Sequence, residues 1–488
     1  MELEWSYLLI WSILICLCIF ITLLSATSYN YVRPITLWGA QMFLSLNMLV
    51  FGILDLARIG FQFIYELCRI TYVNISYITG FDGMSMCLLA LSTFLVIVCI
   101  ICYWHGKYQL TMYFLSMSMS VWIFHHVFTV LDLILFYIAF EAILTPMFIL
   151  LGVWGSRERK IYAAYHLFLY TVLGSFFMMI AFFDIYMHTG DTSILIQDII
   201  SGNKYHNERG IYVYVCLLLA FAIKIPLVPF HIWLPEAHVE APTPGSILLA
   251  GVLLKLGSYG LMRFVYNGPG MATSSSLTLY LFTIAALGFV YCSFVAWNQQ
   301  DMKKILAYSS VAHMNMAIMG LFSQNIAGLQ GFGILMLAHG FVASALFYLV
   351  GMVYERYKSR LVIYYSGLVL IMPRWSWFLF ILVLGNIAFP GTVNFVGELL
   401  ITLGIAKGFG YLMFAIYVGM VLTLIYSFFL FARVCFGIIK EPLIRYYSDM
   451  TRIEIYLLRI LVFIVIYSGF IPEIINKFLK ILWSSLTI

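Results

Sequence analysis

The run Ala220-Phe-Ala-Ile-Lys224-Ile-Pro226-Leu-Val-Pro229-Phe-His231 decides how the rest of the chain is read. It begins as a stretch apolar enough to sit in lipid, then places a lysine and two prolines within a turn or so of one another. Proline removes a backbone donor and clashes with the preceding turn, so a helix cannot pass this point unbroken. Backbone groups freed inside a bilayer must be satisfied within the protein or by water in a protein cavity. A cation beside such a break therefore marks a place for polar chemistry inside the membrane. Phe389-Pro390-Gly391 forms a second break of the same kind.

Composition agrees with a lipid solvent. The chain has 488 residues, 64% hydrophobic and 10% charged, with a mean hydropathy of +1.00, against an apolar content of about 45–50% in soluble domains. Its apolar runs are continuous, not alternating, which excludes a membrane β-barrel. The net charge of +5 is spread over short segments with no basic tract, so nucleic acid is not an expected partner. Cys99-Ile-Ile-Cys102 has redox spacing, but it sits inside an apolar span and reads as two small packing residues, as do Cys16 and Cys18. Leu8–Leu24 lacks a small-residue cleavage site and reads as a first span.

Apolar windows bounded by proline, glycine and charge fall near 5–25, 36–57, 84–104, 109–127, 129–153, 162–187, 211–231, 244–265, 276–297, 302–322, 327–354, 375–407, 411–438 and 454–475. The expectation is an all-α polytopic membrane protein of about fourteen spans, the second weakened by Asp55, Arg58, Glu66 and Arg69. Loops after odd-numbered spans are mostly basic: Arg157, Arg159 and Lys160; Lys303 and Lys304; Arg356, Lys358, Arg360 and Arg374; Lys440, Arg445 and Arg452. The loop with Glu236 and Glu240 is the exception. Beyond Arg58 and Arg69 after the weak second span, Arg263 and Lys407 stand nearly alone in the other set, where Asp184, Asp191, Asp198 and Glu208 outweigh Lys204 and Arg209. The positive-inside rule puts the basic loops toward the matrix or cytoplasm and both termini opposite. Breaks in the seventh and twelfth spans, five apart, suggest two inverted repeats with an ion site at each break. The corresponding divisions are 1–108, 109–265 (spans 4–8), 276–438 (spans 9–13) and 439–488.

A charge inside an apolar window costs at least about 2.5–3.5 kcal/mol on insertion scales, so it needs a use or a partner. Six residues meet that description: Glu141 in the fifth span, Lys224 in the seventh, Lys255 in the eighth, His313 and His339 in the tenth and eleventh, and Glu398 about two turns past Pro390. A static Glu–Lys tie would explain one pair, and a packed histidine one imidazole. The whole set is what a proton relay requires, since burial and a movable partner switch Lys and Glu protonation and imidazole titrates near neutrality. No dinucleotide fingerprint, Walker A loop, metal-spaced histidine pair or iron–sulfur cysteine cluster is present. Redox chemistry by this chain is not expected.

Residues 220–255 as a whole, ending Pro-Gly-Ser-Ile-Leu-Leu-Ala-Gly-Val-Leu-Leu-Lys255, resemble the signature of the antiporter-like subunits of respiratory NADH:ubiquinone oxidoreductase. Phe140-Glu141-Ala-Ile-Leu-Thr-Pro-Met with Trp154-Gly-Ser-Arg-Glu-Arg-Lys, Lys303-Lys-Ile-Leu-Ala-Tyr-Ser-Ser-Val-Ala-His313 and Phe389-Pro-Gly-Thr-Val-Asn-Phe-Val-Gly-Glu398 are most similar to its chain 4 branch. The resemblance covers about residues 80–440. The chain lacks the long lateral helix of the chain 5 branch.

The resemblance implies fourteen helices with two inverted five-helix repeats and broken helices 7 and 12. It makes Glu141 and Lys224 the interacting pair of a first half-channel, Lys255 the central lysine, His313 and His339 extensions of the wire, and Glu398 its terminal residue. Of His231, Glu236, His238 and Glu240, which follow the first break, only His231 joins the expected wire. No cofactor is expected on this chain; FMN, iron–sulfur clusters and ubiquinone belong to partner subunits. Expected partners are the lipid bilayer and other membrane-arm subunits, especially the chain 2-like and chain 5-like antiporter subunits. A multisubunit sodium/proton antiporter subunit is the alternative within transport, and a non-conducting scaffold the alternative outside it. Richness in Phe (41), Tyr (34) and Ile suggests an AT-rich genome and the mitochondrial inner membrane, with a bacterial cytoplasmic membrane as the alternative.

Overall fold

A computed structural model describes residues 29–55, 60–70, 72, 74–193, 208–266, 275–408, 410–439, 448–473 and 475–477. The expected first span at 5–25, Cys16, Cys18, Arg58, Asp198, Lys204, Lys440 and Arg445 lie outside the described residues. Ten helices among the described residues are long and apolar enough to cross a membrane, from Val32–Ile53 to Arg452–Phe470. Leu110–Thr129 is a further helix over the expected fourth span. The expected seventh span, 211–231, is helical only as far as Lys224, and the next helix, Trp233–Glu240, lies beyond its expected end; the twelfth is divided into Pro373–Asn386 and Val393–Gly408.

The chain forms two compact units, one of 1–225, 255–278 and 478–488, the other of 226–254 and 279–477. In the first, one antiparallel hairpin departs from the all-helical expectation. Strand β1 (Gln62–Ile70) pairs with β2 (Ile75–Phe81), with Cys68 opposite Tyr77 and Arg69 opposite Ser76. Isoleucine and tyrosine fit a pleated strand better than a helix. This places Glu66 and Arg69 on a strand rather than beside a membrane helix.

Asp82 closes the hairpin and starts the next helix. Its carboxylate accepts from Ser85 N at 2.8 Å while the Ser85 hydroxyl accepts from Asp82 N at 2.9 Å, a capping box that satisfies two orphan amides. Asp132 likewise caps Leu133–Ala142, accepting from Ile134 N at 2.9 Å and Leu135 N at 3.1 Å. That helix ends at Ala142 and resumes at Leu144. Pro146 is the cause: its missing N–H and its ring act on the carbonyl four residues back, that of Ala142.

In the second unit, Asp301 caps Met302–Phe322 through Lys303 N at 3.0 Å, and Thr451 with Glu454 forms a capping box on Arg452–Phe470. The break before Val393 turns on two left-handed residues, Ala388 (φ +60°) and Gly391 (φ +96°). Pro390 between them cannot supply a helix donor.

Candidate functional site

In the first unit, Glu141 is the residue before the Ala142 discontinuity, where the helix has lost regular carbonyl pairing. Lys224 is the last residue of Glu208–Lys224 and is 3% exposed. Pro226 stops the helix there, so the ammonium sits at a C-terminus, where the helix dipole favours a cation. Its Nζ lies 4.5 Å from the centroid of the Phe140 ring, a cation–π contact, beside Glu141 in sequence. Neither Lys224 Nζ nor Glu141 Oε1 has a hydrogen-bond partner among the described residues. Lys224 therefore contacts the residue next to Glu141 without being hydrogen-bonded to its carboxylate. A fixed tie of the kind considered from sequence would show a direct bond.

Lys255 is wholly buried in the Thr243–Tyr266 span. That span carries two π-helical segments, Leu249–Leu253 and Leu261–Tyr266, on either side of the lysine turn. Such segments widen the helix and leave carbonyls imperfectly paired, a feature concentrated at functional sites. No pattern in the sequence announces them. At the end of the span the Arg263 guanidinium pairs with the Asp82 carboxylate and lies 4.6 Å from the Phe61 ring centroid.

In the second unit, three expected residues meet. His313 Nδ1 lies 3.2 Å from Glu398 Oε1, and the His313 and His339 rings are 5.7 Å apart. His313 is 1% and Glu398 6% exposed. The His313–Glu398 contact has ion-pair distance, but neither His313 ring nitrogen has hydrogen-bond geometry to a partner. Asn394, one turn before Glu398, is fully buried with both amide atoms unpartnered among the described residues. Unpaired buried polar atoms are costly, so their concentration here sets this region apart from a packed apolar core.

His231 is buried but packs elsewhere, 5.8 Å from the Tyr291 ring and 6.1 Å from that of Tyr308. His238 stacks on Phe347 at 4.5 Å.

Sequence reasoning missed a buried charge cluster in this unit. Arg360, counted as a loop cation, is 3% exposed. Its guanidinium binds Glu240 Oε1 at 3.0 Å and Asp301 Oδ2 at 2.7 Å and donates to the Val239 carbonyl. Lys303 Nζ donates to the Ala241 carbonyl at 2.7 Å. These cations cover the C-terminal end of Trp233–Glu240, the helix that follows the Pro226/Pro229 break, where the dipole is negative. Burial pushes the Asp301 carboxyl up and Arg360 beside it pulls it back. His125, also missed, is 3% exposed with its ring 5.3 Å from that of Phe43. The signal was present, since His125 lies inside the apolar window at 109–127.

Broken membrane helices with unbonded acids and bases beside the breaks define a polytopic protein of the ion-translocating class. The family model described as "NADH:quinone oxidoreductase/Mrp antiporter, TM" matches residues 130–425. NADH-ubiquinone oxidoreductase chain 4 of Arabidopsis thaliana is 42% identical over 421 residues, covering 86% of this chain and 84% of that one. Its counterpart in Acanthamoeba castellanii is 43% identical over 442 residues, covering 90% and 86%. A chain of respiratory complex I from Thermus thermophilus superposes with a TM-score of 0.85 at 25% identity over 98% of both chains. A chain of an archaeal membrane-bound sulfane sulfur reductase shares the fold, with a TM-score of 0.85 at 19% identity. The chain belongs to the NADH-ubiquinone oxidoreductase chain 4 family.

Proposed function

We propose that this chain moves protons through Glu141, Lys224, Lys255, His313, His339 and Glu398, with His231 as a side member, as a membrane-arm subunit of respiratory NADH:ubiquinone oxidoreductase. Kinship with curated chain 4 proteins and with a chain of a solved complex I supports the assignment to that enzyme. The observation that carries the relay is the state of named groups beside the breaks: Lys224, His313 and Glu398 are buried, and Lys224 Nζ, Glu141 Oε1, both His313 ring nitrogens and Glu398 Oε1 make no hydrogen bond among the described residues. A charge change next to the subunit then shifts the Glu141–Lys224 pairing, and a proton passes by Lys255 toward Glu398.

Moving each charge against the membrane potential costs about 2.3 kcal/mol per 100 mV, which the redox reaction of partner subunits supplies. FMN, iron–sulfur clusters and ubiquinone are assigned to those partners, and the chain 2-like and chain 5-like antiporter subunits to its flanks. Residues 109–265 and 276–438 serve as the two inverted five-helix repeats, each with its own half-path. The chain is a multi-pass protein of the mitochondrial inner membrane, a reading supported by its eukaryotic relatives.

The test is extraction in mild detergent followed by Glu141→Gln. The expected result is a very large NADH-oxidising particle with flavin and iron–sulfur signals, whose quinone-linked rate falls in the variant while its flavin-site reaction stays intact. Normal pumping in the variant removes Glu141 from the path. A small, redox-silent particle points instead to the sodium/proton antiporter reading, which the family model also spans.

A further inference from the structure

The Pro373–Asn386 and Arg452–Phe470 helices enclose a cleft of about 860 Å³ that the proton path does not use, within the range of about 300–1,000 Å³ typical of ligand sites. The two helices start at the same level, because Asp449, just ahead of Arg452, accepts from the backbone N–H groups of Arg374 at 3.0 Å and Trp375 at 3.4 Å. Arg374, Arg452 and Arg459 line the cleft together with the apolar side chains of Ile381, Val462 and Phe463.

The spacing is regular. Arg452, Tyr456, Arg459 and Phe463 recur every three or four residues and share one helix face, and Trp377 follows Arg374 on the facing helix. Trp377 is 63% and Tyr456 62% exposed, aromatic residues of the kind that sit at the headgroup level of a bilayer. Arg459 lies about 10 Å along its helix from Arg452 by the helical rise, near enough for its long side chain to reach back to that level.

Among the described residues no acid forms an ion pair with these three arginines. Glu454 is engaged by Arg356 at 2.7 Å and by the Thr451 amide, and Asp449 is occupied in capping. Three arginines beside apolar side chains in one cleft at a membrane boundary complement one kind of molecule. Planar guanidinium groups bind phosphate bidentately, and basic pockets between spanning helices receive anionic headgroups.

We propose that this cleft holds an anionic phospholipid, its phosphate among Arg374, Arg452 and Arg459 and an acyl chain along Ile381 and Phe463. The site requires only that the chain lie in a membrane, and it stands or falls separately from the proton path.

The test uses the whole detergent-purified complex, stripped of lipid and titrated with photoactivatable phosphatidylglycerol or phosphatidylcholine, with labelled peptides mapped. The expected result is saturable phosphatidylglycerol labelling of residues 373–381 and 452–463, at least about tenfold stronger than that by phosphatidylcholine, given the strength of two or three basic groups at a membrane surface. Arg452→Gln with Arg459→Gln should lower the labelling by about tenfold, and Arg459→Lys should keep most of it. Equal labelling by both lipids in the unsubstituted complex overturns the proposal without any variant. Crosslinking of the cleft to a neighbouring subunit in place of lipid also overturns it, and makes the cleft a protein interface.

Discussion

Glu398 Oε1 stands 3.2 Å from His313 Nδ1 with both side chains almost wholly buried, yet without hydrogen-bond alignment between them. A contact of this kind is near its turning point. A small displacement makes it a charge-assisted bond or breaks it.

Removing either partner should therefore lower quinone-linked proton pumping, and removing both should do little more. Glu398→Gln and His313→Ala, singly and together, are expected to show a coupling of roughly 0.5–3 kcal/mol in the activation free energy, the range for groups in contact. Strictly additive rate losses, measured in reconstituted vesicles, would show that the two act independently.

Lys224 is held by burial and the Phe140 ring. Lys224→Met keeps the bulk of the stem and removes the charge. Pumping should fall while the assembled complex melts within about 1.5 kcal/mol of the unsubstituted one, as for a volume-conserving swap. A large loss of thermal stability with normal pumping would make the residue a structural tie.

Arg360 faces two carboxylates. Its replacement by Met leaves Glu240 and Asp301 buried without their cation, a change expected to cost about 3–5 kcal/mol. The readout is the thermal midpoint of the complex or the yield of assembled particle. Glu240→Gln, which keeps hydrogen bonding to the guanidinium, should be milder. Equal effects of the two changes would show that the charge on Glu240 is dispensable.

Gly391 has φ +96° at the twelfth-span break, where a side chain costs about 1–2 kcal/mol. An added Cβ would also come within 3.4 Å of Phe470. Gly391→Ala should destabilise by about that amount, whereas Ala388→Gly, at φ +60°, should be close to neutral. Melting curves that rank the two the other way would show that the break is held in another conformation in the complex.

Much of this protein follows from residue order alone, because lipid simplifies the rules. A membrane helix must bond its own backbone, so apolar length announces Gly83–Cys102 or Ile326–Tyr357, and a proline announces where Glu208–Lys224 must stop. A charge in such a window is costly wherever it ends up, which is why Glu141, Lys224, Lys255 and Glu398 stood out before any contact was known.

Tertiary structure decided what depends on partners distant in the chain. Arg360 is an ordinary loop cation until folding brings it to Glu240 and Asp301, and Arg263 has no visible purpose until Asp82 meets it. The β1–β2 hairpin depends on pairing that local apolarity does not encode, and the π segments around Lys255 on how that span is packed. His313 and Glu398 become a pair, and His231 a neighbour of Tyr291, only through packing. Burial cost is a property of one residue in one solvent; proton affinity is a property of the distance between two.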